Sequence, residues 1–194
     1  MTHPAEIAQT MKDLQKEGKI RFYGVSNHTV EQIRCHRKYG KYEVVQPLYS
    51  LISNEIESDL LPYCLSENIG VMVYSPMHKG LLSGKYSGNE KFTDFRNFHP
   101  DFQGERFKII ANAVRLLDPI AERNNMTIYQ LVLAATLLHP AIHVAVVGIK
   151  TCKQIEEAVG IFGKVISRED YFEIRRLLSI DTKNRIKDAS GVKK

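Results

Sequence analysis

Four short apolar runs, two of them ending in small polar residues and each adjoining a stretch with helical spacing, divide this chain. They cover residues 20–27 (through Tyr23-Gly24-Val25 to Ser26-Asn27), 42–46 (ending on Gln46), 69–76 (ending Tyr74-Ser75-Pro76) and 144–147. Their Val and Ile content and their lengths suit buried strands. Between them the apolar residues recur at three and four positions. Ile7, Met11 and Leu14 form a face that stops at Gly18, and Leu60, Leu61, Cys64 and Leu65 mark a short helix before the third strand. Thr29 with Gln32 reads as a capping box opening a second helix. Residues 105–124 read as one helix, with Ile109, Ala113, Leu116, Leu117 and Ile120 on one face. Residues 127–139 read as the next, carrying Leu131, Ala134, Ala135 and Leu138, and a last helix follows Ser167, whose hydroxyl and Asp170 suit a cap. Strand and helix alternate in four units, which predicts an α/β fold built on a parallel sheet with helical crossovers. Residues 86–104, rich in Asn, Asp, Phe and Pro, lack periodicity and are long for a connection, which points to a functional or disordered segment.

The fourth unit carries the most chemistry. The run 144–147 passes into Gly148-Ile149-Lys150-Thr151-Cys152-Lys153-Gln154, a strand handing over to a helix through a basic turn. A helix start offers unpaired N–H groups and a positive dipole end, Gly148 permits close backbone approach, and Lys150 adds a full charge, so the turn is a candidate phosphate site. Thr151 and Gln154 fit a capping box. An ordinary strand-to-helix turn with a solvated lysine is the competing reading of these residues alone.

Taken in order, the segments resemble the C-terminal part of an aldo-keto reductase, a (β/α)8 (TIM) barrel enzyme that uses NADPH. The resemblance covers nearly the whole chain. It rests on Gly18-Lys19-Ile20-Arg21 leading to Gly24-Val25-Ser26-Asn27, on Gln46, on Tyr74-Ser75-Pro76-Met77, on Gly80-Leu81-Leu82-Ser83-Gly84-Lys85-Tyr86, and on Gly148 with Gln154 and Glu157. It implies that Ser26, Asn27 and Gln46 hydrogen-bond the nicotinamide carboxamide and that Tyr74 stacks on the ring. Ser75, Pro76, Met77, Gly80, Leu82 and Lys85 resemble the loop crossing the pyrophosphate. Gly148, Lys150, Thr151, Gln154 and Glu157 resemble the 2′-phosphate and adenine contacts, and Arg96, in the long loop over the cofactor, is a further candidate for a phosphate oxygen. Lys150 stands where the family often has arginine, which keeps the charge and loses the bidentate fork. Ala158 stands where the family usually has an adenine-facing asparagine and cannot make that bond. The family's catalytic tyrosine, lysine, aspartate and histidine lie on its first four strands; the resemblance therefore implies no catalytic residue here, and His3 is read as part of a helix start with Pro4 in the first turn. The expected fold is four strand–helix units of an incomplete barrel, since a complete one takes roughly 250 residues.

Composition adjusts this picture only slightly. The 194 residues are 43% hydrophobic and 25% charged, ordinary globular usage that makes residues 1–194 a single partial domain, with 181–194 a frayed basic tail. Arg175, Arg176, Lys183, Arg185, Lys187, Lys193 and Lys194, expected to follow the last helix, hold much of the net charge of +5. The remaining basic residues are scattered and no nucleic-acid motif is present, so a phosphate-rich dinucleotide is the expected anionic ligand and no nucleic acid. Three widely spaced cysteines argue for a reducing compartment and a cytoplasmic location. The seven histidines show no metal-ligand spacing; His36, His78, His99, His139 and His143 read as surface or loop residues, and no metal is expected. No apolar run suits a membrane span. Two functions follow. One is the NADP(H)-binding half of a reductase acting on a small-molecule carbonyl, inactive alone and prone to self-association through open strand edges. The other is a noncatalytic dinucleotide-binding or interaction module.

Overall fold

The computed structural model describes residues 2–189, and side chains as far as residue 179. Its chain order is α1 (Pro4–Lys16), β1 (Gly24–Ser26), α2 (Val30–Arg37), β2 (Val44–Gln46), α3 (Leu60–Ser66), β3 (Gly70–Tyr74), α4 (Gly104–Arg115), α5 (Asp118–Arg123), α6 (Ile128–Leu137), β4 (Val144–Val146), α7 (Cys152–Val159) and α8 (Arg168–Ala189), with short 3-10 turns between. The contacts group into two compact units. The first comprises residues 1–49, 54–74 and 137–146; the second comprises 50–53, 75–136 and 147–194.

The first unit holds the sheet. All four strands are parallel in the order β1-β2-β3-β4, and they sit inside the four expected apolar runs but are shorter. Its core gathers Val30, Ile33, Val45, Tyr49, Leu60, Leu61, Cys64, Val71 and Val73. Each central strand buries alternate residues against α2 and α3, and burial of each such side chain contributes roughly 1.5–3 kcal/mol. The capping box at α2 forms as the sequence predicts: Thr29 accepts from the Gln32 backbone N–H and Gln32 accepts from the Thr29 backbone N–H. At β1 a glycine is obligatory for a steric reason. A Cβ on Gly24 would lie 1.9 Å from the Val44 carbonyl oxygen of the paired strand.

The second unit is helical. Residues 105–124 do not form one helix: α4 ends at Arg115 and α5 begins at Asp118, because Pro119 has no N–H to continue the ladder. The buried face also differs from the expected one. Phe107, Ile110, Ala111, Ala113, Val114, Leu117 and Ile120 are inside, while Ile109 and Leu116 are exposed. Helix α6 is buried on most sides through Ile128, Leu131, Val132, Leu133 and Ala135, but Leu138, expected on its apolar face, is exposed. Residues 86–104 are ordered by two 3-10 turns, Phe95–Phe98 and Pro100–Phe102, and by a ring cluster of Tyr86, Phe92, Phe102 and Phe107. Ser167 caps α8 through the Asp170 backbone N–H. Arg175 and Arg176 lie inside α8 rather than beyond it, because the helix runs on to Ala189. The side chains of the expected basic tail and all of residues 190–194 fall outside the described residues. Among the described residues no helix is long and apolar enough to cross a membrane.

Candidate functional site

In the first unit the C-terminal ends of β1, β2 and β3 bring four of the expected residues together. Strand register sets Ser26 opposite Gln46. The Gln46 carbonyl oxygen accepts from the Ser26 hydroxyl at 2.9 Å and from the Asn27 backbone N–H at 3.2 Å. Asn27 takes a left-handed φ of 55°, which asparagine tolerates better than most residues, and this turns the chain off the strand. The Gln46 amide nitrogen reaches only the Met72 sulfur, a weak acceptor, at 3.2 Å. Tyr74, half-buried, closes β3; its backbone bonds to Pro47 and Tyr49 fix where the ring leaves the strand. The Ser26 hydroxyl and the Gln46 side-chain amide, at the ends of paired strands, complement a flat group able both to donate and to accept hydrogen bonds. A nicotinamide carboxamide is such a group.

The second unit holds the remaining expected residues. After β3, Ser75 (φ 60°), His78 (φ 45°), Lys79 (φ 56°) and Gly80 (φ 89°) all take left-handed backbone, giving a tightly coiled loop. Pro76, Met77 and Leu82 are buried, so those side chains are turned away from solvent. Lys85 is exposed, with its ammonium 4.9 Å from the Tyr86 ring centroid and 3.4 Å from where a Cβ on Gly80 would stand. In the basic turn, Gly148 has open space around it, and its backbone makes no close approach in the structure. The expected capping box is half formed. Thr151 accepts from the Gln154 backbone N–H, but the Gln154 side chain reaches back one residue further and accepts from the Lys150 backbone N–H at 2.7 Å. The Lys150 side chain is exposed, whereas its N–H is spent inside the turn. Glu157 is engaged by the Thr127 hydroxyl at 2.8 Å, and Ala158 is buried.

Arg96 is held in place by its neighbours. Its Nε and Nη2 donate to the Asp94 carboxylate at 2.9 and 2.6 Å, its Nη1 donates to the Tyr86 hydroxyl at 2.6 Å, and its guanidinium lies 4.5 Å from the Phe92 ring centroid. Hydrogen bonds from Arg96 are the main cause that lowers the Asp94 carboxyl to about 2, and the charge of Lys150 adds to the effect. Asp94 was not among the residues expected from sequence, although the Asp94-Phe95-Arg96 spacing in a long aromatic loop carries the signal.

A second unexpected group is buried. The His78 imidazole is almost inaccessible rather than on the surface: its Nε2 meets Asp101 Oδ2 at 2.6 Å, and its Nδ1 faces the hydroxyls of Ser50 and Ser53. Asp101 also accepts from Arg106 at 2.5 Å. His78, His99 and Asp101 place one ligand-type atom each within 4.8 Å of one another, a juxtaposition that their spacing in sequence did not reveal. Arg106 on Asp101 and Lys79, 3.0 Å from His99, set two positive groups against a cation there.

The parallel sheet, whose first three strands end in polar side chains, defines an α/β protein of partial TIM-barrel-like fold. The model of the Aldo/keto reductase family matches residues 1–179, and the chain belongs to that family. It is 34% identical over 189 residues to the aldo-keto reductase YhdN of Bacillus subtilis, covering 96% of this chain and 56% of the relative. It is 30% identical to the NADH-specific methylglyoxal reductase of Escherichia coli, covering 89% of this chain and 53% of the relative. Among solved structures, a glycerol dehydrogenase from Gluconobacter oxydans superposes with a TM-score of 0.87 at 27% identity, over 93% of this chain and 55% of that one. An aldo/keto reductase from Klebsiella pneumoniae in complex with NADP and acetate gives a TM-score of 0.66 at 27% identity, over 91% of this chain and 54% of that one. The chain thus spans about half the length of the relatives it matches.

Proposed function

We propose that this chain binds NADP(H) for the reduction of aldehydes or ketones to alcohols and supplies the cofactor-binding part of that activity. The observation that carries the reading is the strand-end set of Ser26, Asn27 and Gln46, whose hydroxyl and amide groups suit a carboxamide. Bound nicotinamide supplies hydride chemistry. The chain's own residues bind and orient: Ser26, Asn27 and Gln46 hold the carboxamide, Tyr74 packs on the ring, the loop 75–80 with Lys85 receives the pyrophosphate, and Lys150 with Thr151 and Gln154 receives the adenosine end. None of these side chains is assigned a proton-transfer role, so turnover of a carbonyl by this chain alone is not part of the proposal. The competing reading is a noncatalytic dinucleotide-binding or protein-interaction module, and nucleotide binding sets the proposal apart from the second of these. One relative named above is described as NADH-specific and one was solved with NADP, so the nucleotide is to be read from this chain's own phosphate-end residues.

Fluorescence titration with NADPH and NADH tests the proposal. Lys150→Ala is expected to weaken NADPH binding by about 1.5–3 kcal/mol, the range for a hydrogen bond to a charged group, and NADH binding much less. Equal weakening of both, or of neither, makes Lys150 a solvated turn residue and removes the 2′-phosphate from the reading.

A further inference from the structure

One candidate phosphate-binding cation, Arg96, is already neutralised by this chain. The two-pronged edge of the Arg96 guanidinium, formed by Nε and Nη2, is filled by the Asp94 carboxylate, while Nη1 is turned to Tyr86. That edge is the one a phosphate would use for paired hydrogen bonds. Phe92 lies against the guanidinium and limits its freedom to swing away. Lys150 belongs to the same compact unit and is near enough for its charge to act on the Asp94 carboxyl. A dianionic group arriving at Lys150 therefore meets Arg96 with its charge cancelled and a carboxylate beside it. A ligand with only a hydroxyl at that position brings no charge to be repelled.

Resting on the reading of Lys150 above, we propose that Asp94 is a specificity-determining residue: its carboxylate takes up the Arg96 fork that a ribose 2′-phosphate would use, and so lowers the preference for the 2′-phosphorylated dinucleotide over the unphosphorylated one. The anion acts as an internal competitor. Asp94 also accepts from the Arg96 backbone N–H at the start of the Phe95–Phe98 turn. Asparagine retains that cap while losing the charge, so Asp94→Asn separates the electrostatic role from the structural one.

The test uses the whole chain and calorimetric titration with 2′,5′-ADP and with 5′-AMP, which differ only in the 2′-phosphate, followed by NADPH and NADH. In Asp94→Asn, and in Asp94→Ser as a second variant of different shape, the affinity ratio of 2′,5′-ADP to 5′-AMP is expected to rise at least about tenfold at low salt. Added salt should shrink that gain, since Asp94 is partly exposed. The affinity for 5′-AMP should stay unchanged, and adding Arg96→Leu to Asp94→Asn should remove most of the gain. A ratio that falls would mean Asp94 presents Arg96 to the phosphate, and a ratio that stays constant would mean it does neither; each overturns the inference while leaving the nucleotide reading intact. A native chain that binds none of the four nucleotides overturns both.

Discussion

Asp94 and Asp170 are both gripped by an arginine, yet their surroundings give them different work. Asp94 sits on an exposed turn where its charge matters to whatever arrives. Asp170 is buried at the start of α8, where it accepts from Arg123 and from the Asn124 side chain at 2.8 Å, with Glu173 also on Arg123. The Arg123 guanidinium is the main cause that lowers the Asp170 carboxyl below its ordinary value of 3.8, helped by Asn124 and Ser167. A depressed carboxyl contributes stability that is present above the unfolded value and lost as pH falls through the folded one. Asp170→Asn is therefore expected to lose about 1–2 kcal/mol near neutral pH, a figure discounted because Arg123 is half exposed. Urea denaturation should show the gap between native and variant closing below pH 3.8; a gap that persists there assigns the loss to packing instead. Cys64, packed in the sheet core, is pushed up to about 11 by burial, so its thiol is a core residue, whereas Cys35 and Cys152 are exposed.

Among the elements, the helix starts were the most legible, because a cap is a local hydrogen-bond problem. Thr29 and Gln32 solve it as read, whereas the look-alike pair Thr151 and Gln154 does so only by half, the longer reach to Lys150 being a choice of turn geometry that spacing does not encode. The interruption at Pro119 was equally local, yet the continuous apolar pattern on both sides concealed it. Strand positions were legible from apolar runs, but register was not. Gly24 shows why: its need for glycine arises from the Val44 carbonyl on another strand. Gly24→Ala is expected to destabilise the first unit by about 1–3 kcal/mol, as overpacking does, by forcing β1 away from β2. Hydrogen exchange at the amides that bond the Gln46 and Tyr23 carbonyls should accelerate; unchanged protection would show that β1 can shift without loss.

In the whole molecule, the sheet ends on β1 and β4, each three residues long, with Val144 and Val146 about 40% exposed. An edge strand presents a row of unpaired backbone groups, so self-association is expected. Light scattering on a sizing column should give a mass above the 22.2 kDa of one chain; a monodisperse species of that mass would contradict it. What the sequence by itself determined was whatever depends on neighbours along the chain: four strand–helix units, most caps, and the order of polar residues at strand ends that carries the family. Tertiary structure alone decided what those residues touch. It turned His78, read as a loop residue, into a buried imidazole between Asp101 and two serines, and it paired Arg96 with Asp94 in a site where a free cation was expected. The physical reason is that burial and charge pairing are set by segments far apart in sequence, such as 50–53, 75–80 and 100–106 around His78, and no local pattern records which of them meet.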